Sequence, residues 1–171
     1  MNNTRKLIFM GLLVAAALAL SFVESFLFLP VFPGAKLGLA NIVTVAALYI
    51  LPQARDAALV LAVRVILGGV FVGGASVFYS AAGAALSFLV MWFLKRARGF
   101  GVVSVSMAVG FFHNIGQLLA AAALVSSTSF FLAYLPVLGL AGLAAGFFVG
   151  FVIDRTLKKG IQNKFDFDVN L

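Results

Sequence analysis

"KRARGFGVVSVSMAVGFFHNIGQLLAAAALVSS", residues 95–127, decides how the chain folds. Lys95, Arg96 and Arg98 are followed by an apolar run, from about Gly101 to Val125, without Asp, Glu, Lys or Arg. A run of that length crosses the hydrocarbon of a bilayer when helical, and it does not alternate as a barrel strand does. It closes on "SSTS" (126–129), which carries no charge. A basic end, an apolar middle and an uncharged end describe a membrane helix whose basic end faces the cytoplasm.

Outward from this stretch the pattern repeats. The chain has 171 residues, 64% hydrophobic and 10% charged, with a mean hydropathy of +1.17. That leaves too little polar surface for a soluble domain and is the composition of an integral membrane protein. The expected fold is all-α, one transmembrane domain over residues 1–171. Its helices fall at about 7–29, 37–51, 57–72, 77–94, 101–125 and 134–157, with a polar tail at 158–171 expected to fray. Arg5 and Lys6 precede the first run, Arg55 separates the second and third, and Arg155, Lys158, Lys159 and Lys164 follow the sixth. Every second connection is basic, so a compact six-helix bundle with both termini cytoplasmic is expected. Lys36 is the one charge in the opposite connections. The first run is too long for a signal-peptide core and contains Glu24, so it reads as an anchored helix.

The net charge of +7 is spread over membrane flanks and does not point to nucleic acid. The absence of cysteine excludes disulfides and thiolate metal sites. There is no GxxxxGK[ST] phosphate loop. Asp154, Asp166 and Asp168 lie at or beyond the end of the last run, so no acidic pair is placed to hold Mg²⁺ and a diphosphate. His113 stands alone, without a metal-ligand constellation or a nucleophile partner. The chain is expected not to be an enzyme and to hold no cofactor or metal.

Polar residues inside apolar runs are costly and mark sites more often than not. Arg64 lies roughly 10 Å from the inner end of the third run, so it must face the bundle interior. Glu24, about 8 Å from the outer end of the first run, is either an interfacial carboxylate or an interior group that pairs with Arg64. Asn41 sits about one turn into the second run and serves as packing glue or as a ligand contact. His113, Asn114 and Gln117 share a broad helix face, about 18–24 Å from the cytoplasmic end. Three such residues within five positions suggest a polar wall. Tyr79 opens the fourth run as an interfacial anchor or a site residue. All but Arg64 map to the outer half, and gathered inward they would form an outward-facing pocket. The stretch "FLPVFPGAKLGLANIVT" (28–44), stiffened by Pro30 and Pro33 and holding Lys36, is a candidate lid over it. Gly142, Gly146 and Gly150, and Gly69 with Gly73, have the spacing of close helix contacts, within the bundle or between copies. Ala15 and Ala19 are a packing pair or a docking stripe.

The blocks "KLGLAN", "RVILGGV", "FYSAAGAALSFLVM" and "HNIGQ" resemble a family of small bacterial membrane proteins known by two names. One is heptaprenyl diphosphate synthase component I; the other is Gx transporter. The layout is also similar to substrate-binding (S) components of energy-coupling-factor transporters, particularly the riboflavin type. That resemblance implies six helices, a Pro-rich loop that reaches the substrate, and docking through Ala15 and Ala19 onto a coupling membrane subunit served by two ATPases. An acidic residue expected soon after "KL" in the riboflavin type is replaced here by Gly38, Ala40 and Asn41. The resemblance implies uptake of a small nutrient or cofactor precursor across a bacterial cytoplasmic membrane. In that reading Arg64 offsets ligand charge, and Asn41, His113, Asn114 and Gln117 supply hydrogen bonds. Glu24, Tyr79 and Lys36 complete the site. A non-catalytic membrane subunit of isoprenoid or quinone biosynthesis and a solitary carrier are the alternatives.

Overall fold

The computed structural model describes residues 3–26, 38–51, 53–72, 74–97 and 99–169. Over these residues the chain is all-helical: α1 (Asn3–Phe26), α2 (Asn41–Ile50), α3 (Ala54–Val72), α4 (Gly74–Arg96), α5 (Val102–Val125) and α6 (Thr128–Val169). Four segments are long and apolar enough to cross a membrane: Thr4–Glu24, Val77–Arg96, Val102–Val125 and Thr128–Lys158. The protein is therefore a multi-pass membrane protein.

Two helices differ from the runs that announced them. α2 has 10 residues, about 15 Å of helix and half the thickness of a hydrocarbon core. Its beginning is fixed by Gly38, whose φ of +85° is left-handed and ends any right-handed helix reaching it. The Asn41 and Ile42 amides donate to the Gly38 and Leu39 carbonyls at 2.9 and 3.0 Å and start α2. The candidate lid, including Pro30, Pro33, Gly34 and Lys36, lies outside the described residues up to Leu37, as does Gly73. α6 begins earlier than its apolar run, where the Phe130 amide donates to Ser127 Oγ at 3.2 Å as an N-cap. It also continues through Val169, past the end of its apolar run.

Side-chain contacts show which helix ends lie together. Lys6 pairs with the buried Asp56 at 2.7 Å, joining the N-terminal ends of α1 and α3. Lys95, near the end of α4, donates to the Leu48 carbonyl near the end of α2. Leu48, Ala54 and Lys95 line one cavity. Arg5, Lys6, Arg55, Lys95 and Arg96 thus gather at one end of the bundle. The apolar core fills the same half: Val45, Leu48, Val60, Met91, Val105, Val149 and Ile153 form one buried cluster.

α5 and α6 run antiparallel along a seam of glycines. A Cβ on Gly150 would lie 2.6 Å from Val103 Cα, and one on Gly146 would lie 2.6 Å from Met107 Cα. Gly142 faces Gly110 in the same way. The GxxxG pattern of α6 is therefore spent within the chain, where small residues let two backbones touch. A Cβ on Gly11, by contrast, would meet no atom within 4 Å. Gly146→Leu should lower the melting temperature of the purified protein in detergent by an amount corresponding to at least about 1–3 kcal/mol, the usual range for overpacking. Gly11→Leu should leave it unchanged or slightly raised.

Candidate functional site

At the end of the bundle away from the basic cluster, the core gives way to buried polar groups. Glu24, Asn41, Arg64, His113, Asn114 and Gln117 are each at most 5% exposed. Glu24 is buried two residues before α1 ends, which decides between the interfacial and interior readings in favour of the interior. Its Oε1 accepts the Gly38 amide, so the end of α1 holds the turn that launches α2.

Gly38 serves this junction in two ways. Its left-handed φ is accessible to glycine at little cost. It also has neighbours that leave no room for a side chain: a Cβ would lie 2.8 Å from Asn41 Nδ2 and 3.3 Å from His113 Cδ2. The "KLGLAN" and "HNIGQ" blocks, distant in sequence, therefore meet at this glycine.

Arg64 enters the same group from α3. Its Nη2 donates to Asn41 Oδ1 over 3.5 Å, a long hydrogen bond. The Glu24 carboxylate exerts a favourable Coulomb interaction on it. A guanidinium this deep is tolerated because a buried opposite charge accompanies it. Asn41 Nδ2 and Thr44 Oγ1, one turn further along α2, have no hydrogen-bond partner among the described residues. Thr44 did not stand out in the sequence; its position three residues after Asn41 was the available signal.

The polar wall of α5 divides between two neighbours. The Gln117 amide nitrogen meets His113 Nε2 at 2.7 Å. With that amide donating, the imidazole is neutral and carries its proton on Nδ1. Both side chains lie against α4 at Gly83, where a Cβ would stand 2.9 Å from Gln117 Cγ and 3.0 Å from His113 Cε1. Tyr79, half-buried one turn before Gly83, lies on the same face of α4. Asn114 turns the other way: its amide donates to the Leu138 carbonyl of α6 at 2.8 Å. Its Oδ1 has no partner among the described residues.

The structure thus brings Glu24, Gly38, Asn41, Arg64, His113 and Gln117 together, with Asn114 behind them and Tyr79 beside them. Lys36 lies outside the described residues. Ala15 and Ala19 are not at this site; they lie exposed on α1, while Ala17 between them is fully buried. No three His, Asp or Glu side chains gather among the described residues in a way that could hold a metal ion.

Such a cluster can hold a small molecule through several directed hydrogen bonds around two buried opposite charges. Removing one member of a buried pair strands the other, at about 3–5 kcal/mol. Glu24→Leu and Arg64→Met should each lower the melting temperature sharply, whereas the two together should lose less than the sum of the single losses. A thermal-unfolding cycle over the four proteins measures this. Gly38→Ala should destabilise by about 1–2 kcal/mol from its backbone alone.

A sequence model of the family described as heptaprenyl diphosphate synthase component I matches residues 13–156, most of the chain. No curated protein and no solved structure matches it. The matched region runs from the exposed face of α1 through the buried polar cluster to the last turns before the basic end of α6, and the chain belongs to the heptaprenyl diphosphate synthase component I family.

Proposed function

We propose that this protein is a membrane substrate-binding subunit that captures a small polar molecule at the end of the bundle opposite its basic cluster. The observation that carries this reading is the buried polar group itself. Glu24, Asn41, Arg64, His113 and Gln117 converge from four helices in a chain that is otherwise 64% hydrophobic. Buried polar groups of this density are expensive unless something uses them. The apolar core between this cluster and the basic end separates the two ends, as a binding protein requires and an open pore does not.

In this reading six helices lie in the membrane with both termini cytoplasmic, by the gathering of Arg5, Lys6, Arg55, Lys95 and Arg96 at one end. The polar cluster then lies at the outer end of the bundle. The buried Glu24 carboxylate offsets part of the Arg64 charge, so the ligand brings little net charge. It is neutral or zwitterionic, with hydrogen-bonding groups matched to Asn41, Thr44 and Gln117. That narrows the expectation that Arg64 answers an anionic ligand.

The exposed Ala15 and Ala19 support a docking role for α1. With Gly11 they form a row of small residues on a face where little of the helix is buried. The resemblance to energy-coupling-factor S components supplies the proposed partners, a coupling membrane subunit and its ATPases. The chain itself performs no chemistry in this reading. The description of the family favours a second reading, a non-catalytic membrane subunit of a prenyl diphosphate synthase.

Affinity purification from membranes separates the two. Co-purifying ATPases and a coupling subunit support the first reading; a soluble prenyl synthase overturns it. Binding is tested by thermal shift across neutral, zwitterionic and anionic vitamins and precursors. A stabilising neutral or zwitterionic compound is expected. Its effect should fall at least tenfold in apparent affinity with Asn41→Ala or Gln117→Ala, the loss of one or two hydrogen bonds to a buried site.

A further inference from the structure

At the basic end, two cavities share one wall. A pocket of about 310 Å³ is lined by Leu48, Ala54, Trp92, Lys95 and Arg96. A groove of about 710 Å³ between α4 and α5 is lined by apolar residues including Leu89, Trp92, Phe93, Phe100, Ala108 and Phe112. Trp92 belongs to both. The groove opens on the lipid-facing side, where Leu89 and Phe93 are 62% and 66% exposed.

The cations of the pocket are held in place but have no carboxylate partner among the described residues. Lys95 Nζ stands 5.1 Å from the centre of the Tyr49 ring and donates to the Leu48 carbonyl. An ammonium has three donors, so two remain. The Arg96 guanidinium lies 5.6 Å from the centre of the Trp92 ring. Neither cation forms an ion pair among the described residues. The carboxylates described at this end are engaged elsewhere, Asp56 with Lys6 and Asp154 with Lys158.

We infer that this end of α4 binds an anionic phospholipid, its phosphate on Lys95 and Arg96 and one acyl chain along the α4–α5 groove. Two cations without an ion-pair partner among the described residues match a phosphate oxyanion through charge-assisted hydrogen bonds. Trp92 joins the apolar groove to the pocket, and from Leu89 to Leu94 the groove runs roughly 7 Å along α4. That places a hydrocarbon chain where the phosphate needs one. A free phosphate would leave the groove unused, and a zwitterionic lipid would bring no net charge to offset the pair. The Trp92 and Tyr49 rings lie beside the two cations, a pairing of aromatic and basic side chains that suits a headgroup region. The site is separate from the polar cluster at the other end and does not depend on what binds there.

Native mass spectrometry of the purified full chain tests this, using phosphatidylglycerol and phosphatidylcholine with identical acyl chains. Phosphatidylglycerol adducts should persist at collision energies that strip phosphatidylcholine. Arg96→Gln, at an exposed side chain, should weaken phosphatidylglycerol binding about fivefold, the effect of one cation at a membrane surface. Lys158→Gln, which removes the same charge elsewhere at this end, should not weaken it. Ala108→Trp should occupy the groove and lose the adduct with both cations intact; should that variant fail to fold, Arg96→Gln and Lys158→Gln still decide. Equal losses from Arg96→Gln and Lys158→Gln would overturn the site in favour of diffuse attraction. Displacement of the lipid by glycerol phosphate would reduce it to a phosphate pocket. Displacement by a prenyl diphosphate at lower concentration than phosphatidylglycerol itself would assign the groove to that lipid instead.

Discussion

A guanidinium held inside an apolar bundle imposes requirements on everything around it. Arg64 cannot be left alone at that depth, so the carboxylate of Glu24 is drawn in from the end of α1. Glu24 is also the acceptor for the Gly38 amide, and Asn41 is the acceptor for Arg64. The compensation of one charge therefore fixes three helices against each other at the same level. It also explains why α2 is short. Its first residues are committed to this polar group, and a left-handed glycine must bring the chain into it.

Much of this organisation was visible in the sequence because hydrocarbon is an unforgiving solvent. Apolar runs had to be helices, basic flanks had to gather, and Arg64 had to face inward. The depth of Asn41, His113 and Gln117 followed from counting residues along helices. What hydropathy could not register was backbone conformation. Leu37 to Leu51 reads as one apolar run, yet a single positive φ at Gly38 removes its beginning from the helix. Nor could spacing tell how the α5 residues divide. His113 and Asn114 are adjacent in sequence and about 100° apart around a helix, so one meets α4 and the other α6. Asp56 was equally opaque. It follows the flanking Arg55, and nothing in that spacing shows that it is buried against Lys6 from another helix.

The two ends of the molecule handle charge differently. At the polar end a cation and a carboxylate are both buried, and their fields are confined to the bundle. At the basic end Lys6 and Lys158 have carboxylate partners, while Lys95 and Arg96 rest on aromatic rings and carry their charge to the surface. The first arrangement is suited to recognising a molecule by hydrogen bonds, the second to holding an anion at the membrane boundary. The apolar core between them insulates one from the other.

The glycine seam has a mechanical consequence. Where Gly142, Gly146 and Gly150 meet α5, and again where Gly116 meets Ala82 and Gly83, main chain comes directly against main chain. Such a joint has no rotamers to rearrange, and parting it would leave voids on both surfaces. α4, α5 and α6 thus form a stiff block. The first three helices are attached to that block largely by side chains, including Lys95 reaching the end of α2. Contacts of that kind can be exchanged one for another while the packing stays closed. In the binding reading proposed above, a movement that admits or releases a ligand would fall on α1, α2 and α3, with the block as the surface they move against.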